Sequence, residues 1–177
     1  MATASHAAPI DLGESLLSAL ATSERINQYL LESLPPAAWR AQLPDGEGRT
    51  IAAIVAHVHN VRLMWLKAAA KGTRIPPQLD RLKATPDQAR KALVASHAAV
   101  AKLVAASLAA GGKVKNFPPD VAAFVAYLIS HDAHHRGQIC MLARQLGYRL
   151  PNQVTFGMWE WNKRRQEAST SAAPISA

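Results

Sequence analysis

Cysteine is almost missing from this chain. Cys140 is the single one in 177 residues, which excludes an internal disulfide framework and a thiolate zinc cluster. Any metal site must therefore be assembled from histidine, carboxylate and water. Aromatic residues make up only 6% of the sequence, β-branched residues are spread thinly, and no alternating strand pattern with hairpin turns stands out, so an all-β fold has no support. No apolar run approaches the roughly 20 residues that cross a bilayer. Met1 to Pro9 lacks a basic region followed by a hydrophobic one, so no secretory signal and no membrane partner are expected, and the protein is expected to be cytoplasmic.

Acidic residues are also scarce, 12 against 20 Lys and Arg, for a net charge of +8. Eight basic residues between Arg62 and Lys91 face only Asp80 and Asp87, and Lys163-Arg164-Arg165 forms a second basic group. No zinc-finger spacing, RNA-binding sheet signature or basic leucine zipper accompanies them. A solvated basic surface is expected rather than a nucleic-acid footprint.

What the chain has in plenty is alanine and helix punctuation. With 49% hydrophobic residues it can bury a core without staples. Asp11 can cap a helix to about Ser33, ended by Pro35-Pro36. The stretch Leu43 to Arg49 reads as a polar loop. Thr50 can cap a second helix to about Lys71. Thr85-Pro86-Asp87 starts a third, to about Ala110, with proline in the first turn where its missing N–H costs little. Pro118-Pro119-Asp120 opens a fourth, continuing to Gln145 and ending at Gly147. Four long helices with short links predict an all-α, four-helix-bundle fold. The expected organisation is a flexible N-terminus over 1–10, one domain over 11–167 and a disordered tail over 168–177. Within the domain, Asn152 can cap a short helix in an aromatic segment carrying Phe156, Trp159 and Trp161. Those side chains are expected to plug one end of the bundle, or else one tryptophan to wall a substrate pocket.

The densest chemistry lies in Ser130-His131-Asp132-Ala133-His134-His135-Arg136-Gly137-Gln138. His131 and His135 are four apart, so their side chains stack on one helical face, a spacing that suits two imidazoles sharing one metal ion. With Leu128 as the zero of angle, Phe124, Ile139 and Leu142 define the core stripe, with His135 about 20° from its centre, His131 about 60° and His134 about 120°. The pair faces the bundle, and His134 sits at the edge or outside. Buried imidazoles need partners, and a divalent cation would satisfy both. A catalytic metal usually takes a third protein ligand. His57 and His59 are both candidates, and periodicity does not choose between them: they flank Val58 at about 100° on either side. Arg62 suggests that the His59 side is wet, whereas Leu66 argues the reverse. His97 and His6 read as structural.

Thr50-Ile51 leading to Ala56-His57, with Trp65-Leu66 following, resembles the second helix of the DinB family. His131 through Gln138, followed by Leu142 and Leu146-Gly147-Tyr148, resembles that family's most distinctive segment. The likeness runs from about Asp11 to Asn162. It implies a four-helix bundle of DinB/YfiT type, usually a homodimer, with a divalent metal (zinc, nickel, iron or manganese) held by His57, His131 and His135. Members include thiol transferases and a thiol-dependent isomerase. The expected function is therefore a metal-dependent enzyme, a thiol-dependent transferase or a metal-assisted hydrolase acting on a small molecule such as a low-molecular-weight thiol. The rival is a non-catalytic metal- or ligand-binding dimer acting through a partner. Asp132 is a candidate acceptor for a ligand imidazole, Arg136 a candidate clamp for an anionic substrate, and His59 or His134 a candidate assistant.

Overall fold

Four capped helices set the architecture. The computed structural model describes residues 9–70 and 72–171. Helix α1 spans Leu12–Glu32, α2 Ile51–Ala69, α3 Pro86–Ala109 and α4 Val121–Gln145. Each begins where a short polar side chain accepts a hydrogen bond from an otherwise orphaned first-turn N–H. Asp11 accepts from Glu14 N, Thr50 from Ala53 N and Asp120 from Ala123 N. Thr85 and Gln88 form a reciprocal capping box.

Helices α1 and α2 each pack on both α3 and α4. The fold is all-α, with one small departure. Before α4, β1 (Lys113–Val114) and β2 (Phe117–Asp120) pair as a short antiparallel hairpin. Pro118 and Pro119 thus lie in a strand, and only Asp120 serves the helix start. The turn between the strands places Asn116 at φ 62, a left-handed conformation that asparagine tolerates better than most residues. Its side-chain amide donates to the Ala68 carbonyl at 2.8 Å, fastening the hairpin to the end of α2.

The interior is layered along the bundle. One apolar cluster gathers Leu30, Trp39, Ile51, Val55, Leu93, Ile139 and Leu142. Another gathers Leu20, Leu63, Leu66, Val100, Val104, Phe124 and Leu128. Between these positions on the four helices come buried polar residues: Ser23, Glu24 and Asn27 on α1, His59 and Arg62 on α2, Ser96 on α3, and Asp132 and His135 on α4. Arg62 was expected on a solvated basic surface and is instead 4% exposed. Its Nη2 lies 2.6 Å from Asp132 Oδ2 and 2.8 Å from Glu24 Oε2, and its Nη1 donates to the Leu93 carbonyl at 3.1 Å.

After α4 the chain forms α5 (Asn152–Gly157) and α6 (Trp161–Ser171). Asn152 begins α5 without a side-chain capping bond. The aromatic plug expected here does not form. Phe156, Trp159 and Trp161 are 70%, 81% and 43% exposed, and α6 seats itself on α1 through other groups. Arg164 is buried, its guanidinium carbon 4.0 Å from the centre of the Tyr29 ring, a cation–π contact. Arg25 on α1 pairs with Glu167 at 2.7 Å. Gly157 permits the approach: a Cβ there would stand 2.9 Å from Tyr29 Cζ. The helix continues through Ser171, four residues into the segment expected to be a disordered tail; residues 1–8, with His6, and 172–177 lie outside the described residues.

Although no long unbroken apolar run marks it in the sequence, helix α3 is long and apolar enough, by length and composition alone, to cross a membrane. Its inner face packs on α1 and α2, while Val94, Ala95, Ala98, Ala105 and Ala106 remain exposed.

Candidate metal centre

One turn of α2 and two turns of α4 bring His57, His131 and His135 together. One ring nitrogen from each lies within 4.8 Å of the others, a group that could hold a metal ion. The Nε2 atoms of His131 and His135 are 3.2 Å apart. Two nitrogens bonded to one tetrahedral zinc ion at its usual distances stand about 3.3 Å apart, so the pair has the spacing a single ion requires. The His57 ring meets His135 edge-on at 4.8 Å between centroids and His131 at 5.4 Å.

The tie on α2 is broken by packing. His59 is fully buried and donates from Nε2 to the Pro77 carbonyl at 2.9 Å. It is therefore held at Nε2 by the α2–α3 connection and lies outside the three-histidine group. The His59 side is the dry one, because Arg62 beside it is buried too. His134 is exposed and lies outside the three-histidine group.

Two neighbours orient the α4 imidazoles. His135 Nδ1 lies 2.8 Å from Gln138 Oε1, an acceptor, so Nδ1 carries the proton and Nε2 keeps its lone pair towards the cluster. The Gln138 amide in turn contacts His134 Nε2 at 3.0 Å, which gives His134 an indirect role. On the other ring, His131 Nδ1 and Asp132 Oδ1 face each other at 3.9 Å. Neither has another partner, and both are buried. That separation exceeds a hydrogen bond, but a small rotation would close it and leave His131 Nε2 bare. Unpaired buried atoms of this kind are rare, and here they suit an imidazole that ligates through its other nitrogen.

Asp132 is held firmly. Burial would push its carboxyl up, but the Arg62 guanidinium and hydrogen bonds, including one from Asn27, outweigh that and hold it well below the usual carboxylate range. Arg136, a candidate clamp for substrate, is engaged elsewhere: its Nη1 donates to Asn27 Oδ1 at 2.7 Å and Ser23 Oγ at 3.2 Å, locking α4 to α1. On the hairpin side, Trp65, Phe117, Phe124 and Tyr127 form a cluster of edge-packed rings, and Tyr127 stacks on His131.

Burial keeps two of the imidazoles neutral. It lowers the proton affinity of His57, and repulsion from the surrounding His135, Arg49, His131 and Arg81 adds to this, bringing its pKa down to about 4. Burial likewise lowers His135 against the opposing effect of its hydrogen bond to Gln138. Neutral imidazole is the form that binds a metal. An open groove of about 530 Å³ leads to His57 and His135 between Arg49, Ile54, Met141 and Leu142.

The family model described as the DinB superfamily matches residues 19–139 of the chain. No curated protein and no solved structure matches it.

A pH dependence follows from the histidines. The folded protein binds fewer protons than the unfolded chain between about pH 4 and 6.5, because His57 titrates near 4 when folded and near 6.5 when unfolded. Burial lowers His59, His97 and His135 in the same direction. Their contribution to stability is complete above about pH 6.5 and is lost as pH falls towards 4. The urea midpoint of the metal-free protein should therefore drop steadily over that window, and His57→Gln should flatten the drop. A midpoint constant from pH 7 to 4.5 would contradict the assignment.

Proposed function

Because the chain belongs to the DinB superfamily and gathers three imidazoles into one group, we propose that it is a metal-dependent enzyme of the cytoplasm. His57, His131 and His135 bind one divalent cation, and the reaction class is thiol transfer or metal-assisted hydrolysis on a small molecule. The observation that carries this reading is the convergence of three ring nitrogens within 4.8 Å. Three neutral ligands leave the charge of a divalent cation uncompensated and its remaining coordination positions open. When bound, such a cation supplies the Lewis acidity that activates a thiol or a water near neutral pH.

The chain's own residues do the rest. Gln138 fixes the tautomer of His135, and Asp132, anchored by Arg62 and Asn27, stands ready to accept from His131. The aromatic rings around Tyr127 shield the His131 side from water, while the groove admits substrate at His57 and His135.

Metal content tests the ligand set. The wild type should hold one zinc per chain after equilibration and desalting, and His57→Ala, His131→Ala and His135→Ala should each lose it while keeping their helical circular dichroism. His134→Ala and His59→Gln should retain it. Loss in the His134 variant with retention in the His135 variant would show the α4 assignment to be wrong. Loaded protein that consumes no low-molecular-weight thiol with an electrophile, and hydrolyses no activated ester, would point to the non-catalytic metal-binding dimer instead.

The same reading includes pairing of two copies. The exposed alanines and Val94 of α3 offer small side chains, with Lys91 and Lys102 on the same side, and the small residues support close approach of a second helix. Sedimentation at micromolar concentration should give about twice the 19.0 kDa chain mass; a single species at the chain mass would defeat the dimer.

A further inference from the structure

The groove beside the histidines also carries a recognition group. We propose that Arg49 anchors the carboxylate of the substrate, so that the molecule acted on is a small organic anion. This rests on the metal-site reading and adds the substrate's charge to it.

Arg49 immediately precedes the Thr50 cap, where the loop enters α2, and its side chain is exposed in the wall of the groove that reaches His57 and His135. The same groove is lined by His57 and His135, which places Arg49 near the cluster. Most arginines that close on the bundle are already paired: Arg25, Arg62, Arg90 and Arg164 each meet a carboxylate. Arg49 forms no ion pair and no hydrogen bond among the described residues, although Glu47 lies two positions away in the same groove.

A guanidinium with all its donors free is matched in geometry to a carboxylate, which it can bind through two parallel hydrogen bonds. Leu43, Ile54, Met141 and Leu142 line the same groove, an apolar surface for a hydrocarbon body. A ligand with a carboxylate at one end and a thiol at the other would thus meet Arg49 and the imidazole cluster together.

Cobalt(II)-loaded protein provides the test, with 3-mercaptopropionate, 2-mercaptoethanol and cysteamine as probes and the thiolate-to-cobalt absorption as the readout. The carboxylate thiol should bind about tenfold more tightly than either of the others, the value of one charge-assisted hydrogen-bond pair. Arg49→Gln should remove that advantage while leaving the affinity for 2-mercaptoethanol unchanged. Equal affinities for the three thiols, an advantage that survives in Arg49→Gln, or bound cobalt with no thiolate band would each overturn the role of Arg49 while leaving the metal site standing. Failure of cobalt to bind the wild type at all would instead overturn the metal reading, and the substrate inference with it.

Discussion

The buried guanidinium of Arg62 is the interaction on which the rest depends. From α2 it reaches Glu24 on α1, Asp132 on α4 and the Leu93 carbonyl on α3, so one side chain ties all four long helices at one level. Charges taken out of water cost several kcal/mol each, and only close pairing with full hydrogen bonding offsets that. Here burial tends to lower the arginine's proton affinity, and the two carboxylates more than restore it. An apolar core could have been more stable, but it would tolerate sliding of one helix along another. The ion network fixes the register, because a shift by one turn would strand a buried charge.

That register matters because Asp132 adjoins His131 in sequence and is buried within the same turn. With Asp132 clamped by Arg62 and Asn27, its second oxygen is aimed at the free Nδ1 of His131. Gln138 performs the matching task for His135. Helix α2 carries both Arg62 and His57, so the clamp that sets the α2–α4 register also sets the distance from His57 to the pair on α4. The site is rigid on its inner side and open on its outer side, where the groove begins. Such a division is what a ligand-exchanging metal centre needs: fixed ligands on one face and access on the other.

Local signals carried much of this. Asp11, Thr50, Thr85 and Asp120 each cap a helix where expected, since capping depends only on residues three or four apart. The inward direction of His131 and His135 was legible for the same reason, being set by helical period alone. The choice of His57 over His59 was not, because it turns on the Pro77 carbonyl, contributed by a distant connection. Burial of Arg62 and Arg164 was illegible too: a basic residue reads as solvated until its carboxylate and aromatic partners arrive from other elements. Helix α6 lacks an apolar stripe and is held by Arg164 on Tyr29 and Arg25 on Glu167, so periodicity gave no reason to extend structure through Ser171. The tryptophans misled in the other direction, since hydrophobic content suggested burial that the path of α5 does not provide.

The central claim is that the ion network and Gln138 present the Nε2 atoms of His131 and His135, beside His57, to one ion. Histidine ¹⁵N NMR near pH 7, on metal-free protein and again after one equivalent of zinc, reads this directly. The account predicts a proton on Nδ1 of His135 before zinc, and after it large shifts of one ligating nitrogen in each of His57, His131 and His135, with His59 still protonated at Nε2 and His134 little changed. Zinc that leaves those three histidines unmoved, or that shifts His59 and His134 in their place, would contradict it.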